Sequence, residues 1–147
     1  MQWKWARLED LPAAELHEVL ALRQRVFVVE QRCPYQDADA LDLEAWHLLG
    51  SREASLLAYL RASPPRREAD AVALSRVVVA AEARGRGLGR AVVVEGMHRA
   101  RETFGDLPIA LEAQSHLVDF YRSLGFEVCG DEYLEDGILH RPMRTER

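Results

Sequence analysis

Apolar side chains follow two spacings along the chain, one typical of helices and one typical of strands, which predicts a mixed α/β fold. Over residues 12–31 they recur every three to four positions, so this segment is predicted to be a helix with one buried face. Residues 32–44 hold a proline and several acidic side chains and are predicted to form a loop with one helical turn. Two strands, 46–50 and 56–62, are then expected to pair as a hairpin.

The second half of the chain begins with a valine-rich run, 71–81, whose apolarity is almost uninterrupted. Such a run predicts a central strand covered on both faces. A glycine-rich turn follows and leads into a helix with apolar residues at helical spacing, which is expected to end at Gly105. Beyond it the pattern predicts a strand at 108–113, a helix at 117–124, and two final strands joined near Asp136.

Length and charge narrow the class of protein. A chain of 147 residues fits a single domain over 1–147. Lys and Arg total 19 against 24 for Asp and Glu, and the formal net charge of -5 disfavours an extended contact with nucleic acid. The N-terminus lacks the plan of a secretory signal, and no apolar run approaches the roughly 20 residues that span a bilayer, so no membrane partner is expected. Cys33 and Cys129 are interpreted as free thiols of a cytoplasmic protein.

The clearest chemical feature is a glycine-rich segment between the central strand and the next helix. Its glycines allow positive φ and close approach of the backbone to a ligand, and the unpaired amides at a helix start attract phosphate oxygens. A nucleotide P-loop is excluded because Arg90 and Ala91 stand where it needs Lys and then Ser or Thr. A dinucleotide fingerprint is excluded because Arg90 occupies its third glycine position. The segment consists of Arg84, Gly85, Arg86, Gly87, Leu88, Gly89 and Arg90.

The spacing that remains is Arg-x-x-Gly-x-Gly, formed by Arg84, Gly87 and Gly89, and it resembles the coenzyme A pyrophosphate loop of the GNAT superfamily of N-acetyltransferases. A second segment also resembles that superfamily, because Gln114 is followed by the run Phe-Tyr-Arg-Ser-Leu-Gly-Phe, which begins at Phe120. Further segments are similar to the ElaA-like branch of the superfamily: 22–42, 46–50 and 136–143.

The resemblance implies a mixed, mostly antiparallel sheet with helices on both faces and a splayed central strand pair that admits the cofactor. It further implies that acetyl-CoA is the acyl donor and that the backbone groups of Val77, Val78 and Val79 are free to pair with the pantetheine arm. No metal is expected, since the histidines are scattered along the chain. The other cofactor-binding residues that it implies are Arg84, Gly85, Arg86, Gly87, Leu88, Gly89, Arg90, Gln114, Phe120 and Tyr121.

Tyr121 is the candidate for a catalytic general acid. Attack on a thioester expels a thiolate, and a phenol of pKa about 10 can donate a proton to such a leaving group. The resemblance implies this role for a tyrosine at this position. The alternative interpretation is a packed core aromatic, like the neighbouring Phe120.

The proton acceptor is less well defined, although an amine must lose a proton before it attacks. Glu30 and His140 are the candidates for a base or for an acceptor-side role, with Glu112 and His116 as further possibilities. A covalent route through a cysteine is disfavoured, because neither cysteine has an identifiable histidine partner. The acidic residues of the loop fit either a surface that attracts amines or a solubilising surface; they are Asp37, Asp39, Asp42 and Glu44.

Together these features favour an N-acetyltransferase that moves an acetyl group from acetyl-CoA to a primary amine within a ternary complex. Two alternatives stay open: a non-catalytic module that senses acyl-CoA, and a transferase for a longer acyl group. The sequence leaves the acceptor open between a small molecule and a peptide, and the oligomeric state open between monomer and homodimer.

Overall fold

A computed structural model describes residues 1–67 and 70–146 of the chain. Apolar periodicity located nearly all of its elements, including the first helix, the hairpin and the central strand, so these predictions are confirmed. The first helix changes to π-helical geometry over Gln24–Glu30. The elements are β1 (Gln2–Arg7), α1 (Ala13–Arg23), α2 (Leu41–Glu44), β2 (Trp46–Arg52), β3 (Ser55–Ser63), β4 (Val72–Val79), α3 (Leu88–Phe104), β5 (Ile109–Gln114), α4 (Val118–Arg122), β6 (Glu127–Val128), β7 (Tyr133–Glu135) and β8 (Ile138–Arg144).

The strands form one mixed sheet in the order β1-β2-β3-β4-β5-β8-β6, and β7 also pairs with β8. Every neighbouring pair is antiparallel except β4 and β5, which run parallel. That parallel pairing covers only Val72 with Ile109 and Ala73 with Ala110. The two strands therefore diverge after their first residues, which confirms the predicted splayed central pair.

Helices cover both faces of the sheet, as predicted. On one face, Val19 and Leu22 of α1 and Val26 of the π-helical segment pack with Tyr59 and Val78. On the other face, α3 and α4 pack over a second core that includes Leu48, Leu60, Leu74, Val92, Val93, Met97 and Tyr121. Helix α3 lies so close to β3 that a Cβ atom at Gly96 would stand 2.5 Å from Leu60 Cδ2.

Strand β4 carries an irregularity where it begins to leave β5. Its register with β3 shifts between Tyr59 and Arg61, and Arg76 has a φ of 54°. The extra residue of such a bulge redirects the side chains that follow. Ala73 is exposed, so the prediction that this strand is covered on both faces is wrong at its start.

Candidate active site

The loop before α3 and the first turn of α3 present a row of unpaired amides. Gly85 and Gly87 have φ values of 80° and 77°, and Gly87 is the N-cap of α3. The first amide of the helix that donates a backbone hydrogen bond is that of Ala91, to the Gly87 carbonyl at 3.1 Å. Among the described residues, the amides of 85–90 have no acceptor. A row of free donors at the positive end of a helix is suited to a phosphate group.

The Arg84 side chain does not share the direction of these amides. Its Nη1 and Nη2 atoms donate to the two carboxylate oxygens of Glu30, each at 2.8 Å, and its Nε donates to the Val79 carbonyl at 3.1 Å. The hydrogen bonds from Arg84 lower the pKa of Glu30. Arg84 therefore joins the end of the first helix to the end of β4.

The end of β4, the start of α3 and α4 meet beside the gap between β4 and β5. A Cβ at Gly89 would lie 3.9 Å from both Phe120 Cζ and Val79 Cγ2. Arg90 Nη1 donates to Ser123 Oγ at 3.1 Å, which ties the first turn of α3 to the end of α4. The predicted residues of the loop, of β4 and of α4 are thus close together in space.

Only part of the β4 backbone is free toward the gap. The Ala80 amide donates to the Leu57 carbonyl of β3 at 2.8 Å, and Val78 lies opposite Tyr59. Backbone groups alternate in direction along an antiparallel strand, so those of Val78 also face β3. The groups that point away from β3 are those of Val77 and Val79, and of these the Val79 carbonyl already accepts from Arg84 Nε.

Tyr121 lies in the core on the α3 side of the sheet. It is 6% exposed, and its ring packs edge-on against Phe120 and Phe126, with centroids 5.0 and 5.8 Å away. Its hydroxyl has no hydrogen-bond partner in the described part of the chain. Burial raises the pKa of Tyr121 to about 12, so the phenol is protonated at neutral pH.

A cavity of about 400 Å³ lies on the other side of the glycine loop, away from the gap. It is bounded by the β2–β3 hairpin and by Arg86, Gly87 and Leu88. Its walls include neither Val77 nor Tyr121. This cavity is therefore separate from the opening between the splayed strands.

The remaining candidates for a proton acceptor lie on the face of β5 and β8 that points away from Tyr121, or on the turn that follows β5. Gln114 at the end of β5 pairs with His140 of β8. The His140 Nδ1 atom lies 2.8 Å from the Ile138 carbonyl, which can only accept, so Nδ1 carries the proton and Nε2 of the neutral ring holds the lone pair. Glu112 is exposed on the same face, and His116 lies exposed on a turn after β5.

Both interpretations of the acidic loop are wrong for Asp37 and Asp42, because these two carboxylates are buried. They neither solubilise the surface nor are free to attract an amine. Asp37 accepts from Arg23 Nε at 2.8 Å, and Asp42 accepts from Arg23 and Arg61, each at 2.8 Å. Both arginines are 1% exposed. Asp39 bridges Arg61 and Arg76, at 2.7 and 3.2 Å.

This network includes residues that the sequence did not single out. Besides Arg23 and Arg61, it contains Tyr59, whose hydroxyl lies 2.6 Å from His47 Nδ1. The His47 Nε2 atom lies 3.0 Å from the Asp42 carbonyl, so Nε2 donates there and Nδ1 accepts from Tyr59. Arg61 stands alone in the apolar stretch 56–62, which was a signal available in the sequence, whereas Arg23 is followed by Gln24 and Arg25 and gave none.

Within 1–67 and 70–146 no group of three or more His, Cys, Asp or Glu residues could hold a metal ion. In the same part of the chain, no helix combines the length and the apolar character needed to cross a membrane.

The fold and the loop are those of a known enzyme family. Residues 44–147 match the family model described as an acetyltransferase (GNAT) domain. The chain therefore belongs to the GNAT acetyltransferase family, whose members use acyl-CoA. A splayed pair of central strands beside a glycine-rich helix start is the arrangement that the sequence resemblance implied for it.

Within the family the chain belongs to the ElaA-like branch. It is 36% identical to Protein ElaA of Escherichia coli over 148 residues, which cover 99% of this chain and 97% of ElaA. It is 40% identical to a UPF0039 protein of Synechocystis sp. over 144 residues, or 97% of this chain and 94% of that protein.

Solved structures give the same result. The crystal structure of an acyl-CoA N-acyltransferase from Pseudomonas aeruginosa superposes with a TM-score of 0.92 at 42% identity, with 99% of each chain covered. The crystal structure of E. coli ElaA gives a TM-score of 0.92 at 36% identity, again with 99% of each chain covered. The resemblance predicted from the sequence is thus confirmed for the family and for its branch.

Proposed function

We propose that this protein transfers an acetyl group from acetyl-CoA to a primary amine by direct attack in a ternary complex. The observation that carries the proposal is the row of unpaired amides at 85–90, which lies next to the gap between β4 and β5. The buried Tyr121 belongs to the core cluster against which Val77 and Val79 pack. Bound acetyl-CoA supplies the activated acetyl thioester. The residues of the chain bind and orient the donor, remove a proton from the amine and supply one to the leaving thiolate.

The donor is held mainly by backbone groups. The amides of the glycine loop would receive the pyrophosphate, and the guanidinium of Arg90, near the first turn of α3, adds positive charge. The backbone groups of Val77 and the amide of Val79 offer partners for the pantetheine arm, whose own amides would otherwise be buried unpaired at a cost of about 1 to 3 kcal/mol. Gln114 and Phe120 border the same gap.

Tyr121 supplies the proton to the leaving thiolate. Its phenol is held by two neighbouring rings, and its hydroxyl is not engaged by any described residue. A pKa raised to about 12 keeps the phenol protonated at neutral pH. A thiolate is a weaker base than this phenolate, so the phenol first hydrogen-bonds to the departing sulfur and gives up its proton only as it regains one from the acylated nitrogen.

His140 fits the role of base better than Glu30 does. The fixed Nδ1–H of His140 leaves Nε2 as a free lone pair. Glu30 has both carboxylate oxygens occupied by Arg84, and that contact lowers its pKa and weakens it as a base. We therefore assign Glu30 a structural contact with the loop and assign proton removal to His140.

The Tyr121→Phe variant tests the proposal. Because the hydroxyl has no partner in the described fold, its removal should leave the melting temperature within about 1 °C and the acetyl-CoA dissociation constant within twofold. Release of free thiol in the presence of an amine should fall by roughly 10²- to 10⁴-fold, the range of general acid–base catalysis. Thiol release at the wild-type rate would remove Tyr121 from the mechanism. Donor binding by the wild type without release on any amine would instead indicate an acyl-CoA sensor.

A further inference from the structure

Three polar side chains meet on the face of the sheet that carries Ala110 and Gln114. The Tyr133 hydroxyl donates to Glu112 Oε2 at 2.9 Å, and the Tyr133 ring stacks on His140 with centroids 5.7 Å apart and an interplanar angle of 20°. They come from β5, β7 and β8, so three strands contribute one residue each. We call Glu112, Tyr133 and His140 the polar triad.

The sheet register explains why these residues meet. Tyr133 pairs with His140, and His140 in turn pairs with Gln114, which forms a row across β7, β8 and β5. Glu112 lies two residues before Gln114 on the same face of β5, so it is the diagonal neighbour of this row. The geometry of the backbone therefore fixes the triad.

The triad keeps free bonding capacity. Tyr133 occupies Oε2 of Glu112, and Ile138 occupies Nδ1 of His140. Glu112 Oε1 and His140 Nε2 have no partner among the described residues. One negative oxygen and one lone pair are thus available on the same patch, which is the pair of functions that an ammonium group needs in order to bind and then lose a proton.

The triad also lies beside the gap. Glu112 follows Ala110, the last residue of β5 that pairs with β4, so it stands on the segment that borders the divergence. The loop after the first helix reaches across toward the same region, since Cys33 Sγ lies 3.5 Å from the carbonyl of Asp136 in the β7–β8 turn. The patch therefore lies on the face of the sheet opposite Tyr121, beside the divergence of β4 and β5.

We propose that the polar triad is the acceptor subsite and that it selects cationic amines; this rests on the proposed acetyl transfer. Glu112 binds the ammonium group, and His140 Nε2 takes one of its protons. The neutral amine then forms the new C–N bond to the thioester carbon, and the C–S bond breaks. The thiolate takes its proton from Tyr121, which regains one from the acylated nitrogen, while His140 returns its proton to solvent.

The charges around the triad favour a cationic acceptor over one that carries a carboxylate. Burial and the hydrogen bond to Glu112 raise the pKa of Tyr133, so its hydroxyl stays a donor to Glu112, and Glu135 acts on Tyr133 as a second nearby negative charge. An acceptor carboxylate would meet these two negative groups. Like charges close to one another disfavour binding, so amino acids should be poor acceptors.

Two probes of similar length test the inference, 1,4-diaminobutane and β-alanine. The wild type should use 1,4-diaminobutane with a kcat/KM at least tenfold higher than that for β-alanine. Glu112→Gln should raise the KM for 1,4-diaminobutane tenfold or more and change the acetyl-CoA dissociation constant less than twofold. Glu112→Asp should recover part of the loss. Glu102→Gln, which removes an exposed carboxylate bonded to His98 on α3, is the matched control and should behave as the wild type.

A KM within twofold of the wild type for Glu112→Gln, or a preference for β-alanine, would overturn the inference. Calorimetric titration of the protein with 1,4-diaminobutane separates this outcome from failure of the transferase proposal. If the wild type binds the diamine and Glu112→Gln does not, the subsite stands even where no thiol is released. If thiol is released but the diamine binds both proteins equally, the transferase stands and the subsite is wrong.

Discussion

At the scale of single residues, Asp42 is the most heavily bonded carboxylate of the buried network. It accepts from Arg23 and Arg61 and also from the backbone amide of Asp39, at 3.1 Å. Burial by itself would raise the pKa of Asp42, but the hydrogen bonds from the two arginines outweigh it and lower the pKa from 3.8 to about 2. The carboxylate therefore stays ionised in the folded protein far into the acid range.

We predict that Asp42→Asn lowers the free energy of unfolding at pH 7 by about 3 to 5 kcal/mol, because it leaves two buried guanidinium groups without their shared partner. The folded pKa of Asp42 lies below the ordinary value. Its stabilisation is thus complete above about pH 4 and is lost as the pH falls toward 2. Urea unfolding at several pH values should show that the difference in the free energy of unfolding between wild type and variant falls by about 2 kcal/mol between pH 5 and pH 2.

Asp119→Asn is the control for this measurement, since the Asp119 side chain is 98% exposed and, among the described residues, pairs only with Arg122, at 3.4 Å. It should change the free energy of unfolding by less than about 0.5 kcal/mol at every pH. Equal stability of Asp42→Asn and wild type at pH 7, or a difference in stability that does not depend on pH, would contradict the role of Asp42 as the ionised partner of the two arginines.

At the scale of elements, the contact between Glu30 and Arg84 joins two parts of the chain that are distant in sequence. Glu30 ends the π-helical continuation of α1, whereas Arg84 opens the glycine loop. The pair is half-exposed, so its value lies in fixing position more than in stabilising the fold. Arg84 Nε also holds the last carbonyl of β4.

We predict that Glu30→Gln weakens acetyl-CoA binding about three- to tenfold and lowers kcat less than threefold, because Arg84 loses the partner that orients the loop. Calorimetry with acetyl-CoA and steady-state kinetics give the two numbers. Glu82→Gln, an exposed carboxylate beside the loop, is the control and should bind as the wild type. A large loss of kcat with unchanged binding would instead make Glu30 the catalytic base.

At the scale of the whole molecule, the sequence predicted the order of the elements because each of them follows local rules of periodicity and capping. The loop from Arg84 to Arg90 and the splay of the central strands were also predictable, since the resemblance extends over both. Strand β6 was not predicted, because two residues are too few to show a period.

Contacts between distant residues were beyond the reach of those rules. Glu112 and Tyr133 are 21 positions apart and meet only because β7 and β5 both pair with β8. Arg23 and Asp37 are 14 positions apart, and their ion pair forms only because the loop after the first helix folds back against it. In each case the partner is fixed by strand register or loop closure, which a periodic pattern does not encode.

The central claim is that the amides of the glycine loop hold the pyrophosphate of acetyl-CoA, and calorimetric titration of three proteins tests it most directly. The position of Gly87 has open space around it, and its left-handed conformation is one that Asn and Asp tolerate. Gly87→Asn should therefore bind acetyl-CoA within about fivefold of the wild type, whereas Gly87→Asp should bind at least tenfold more weakly than Gly87→Asn, because its carboxylate repels the phosphates. No binding by the wild type, or equal binding by the Asp and Asn variants, would contradict the account.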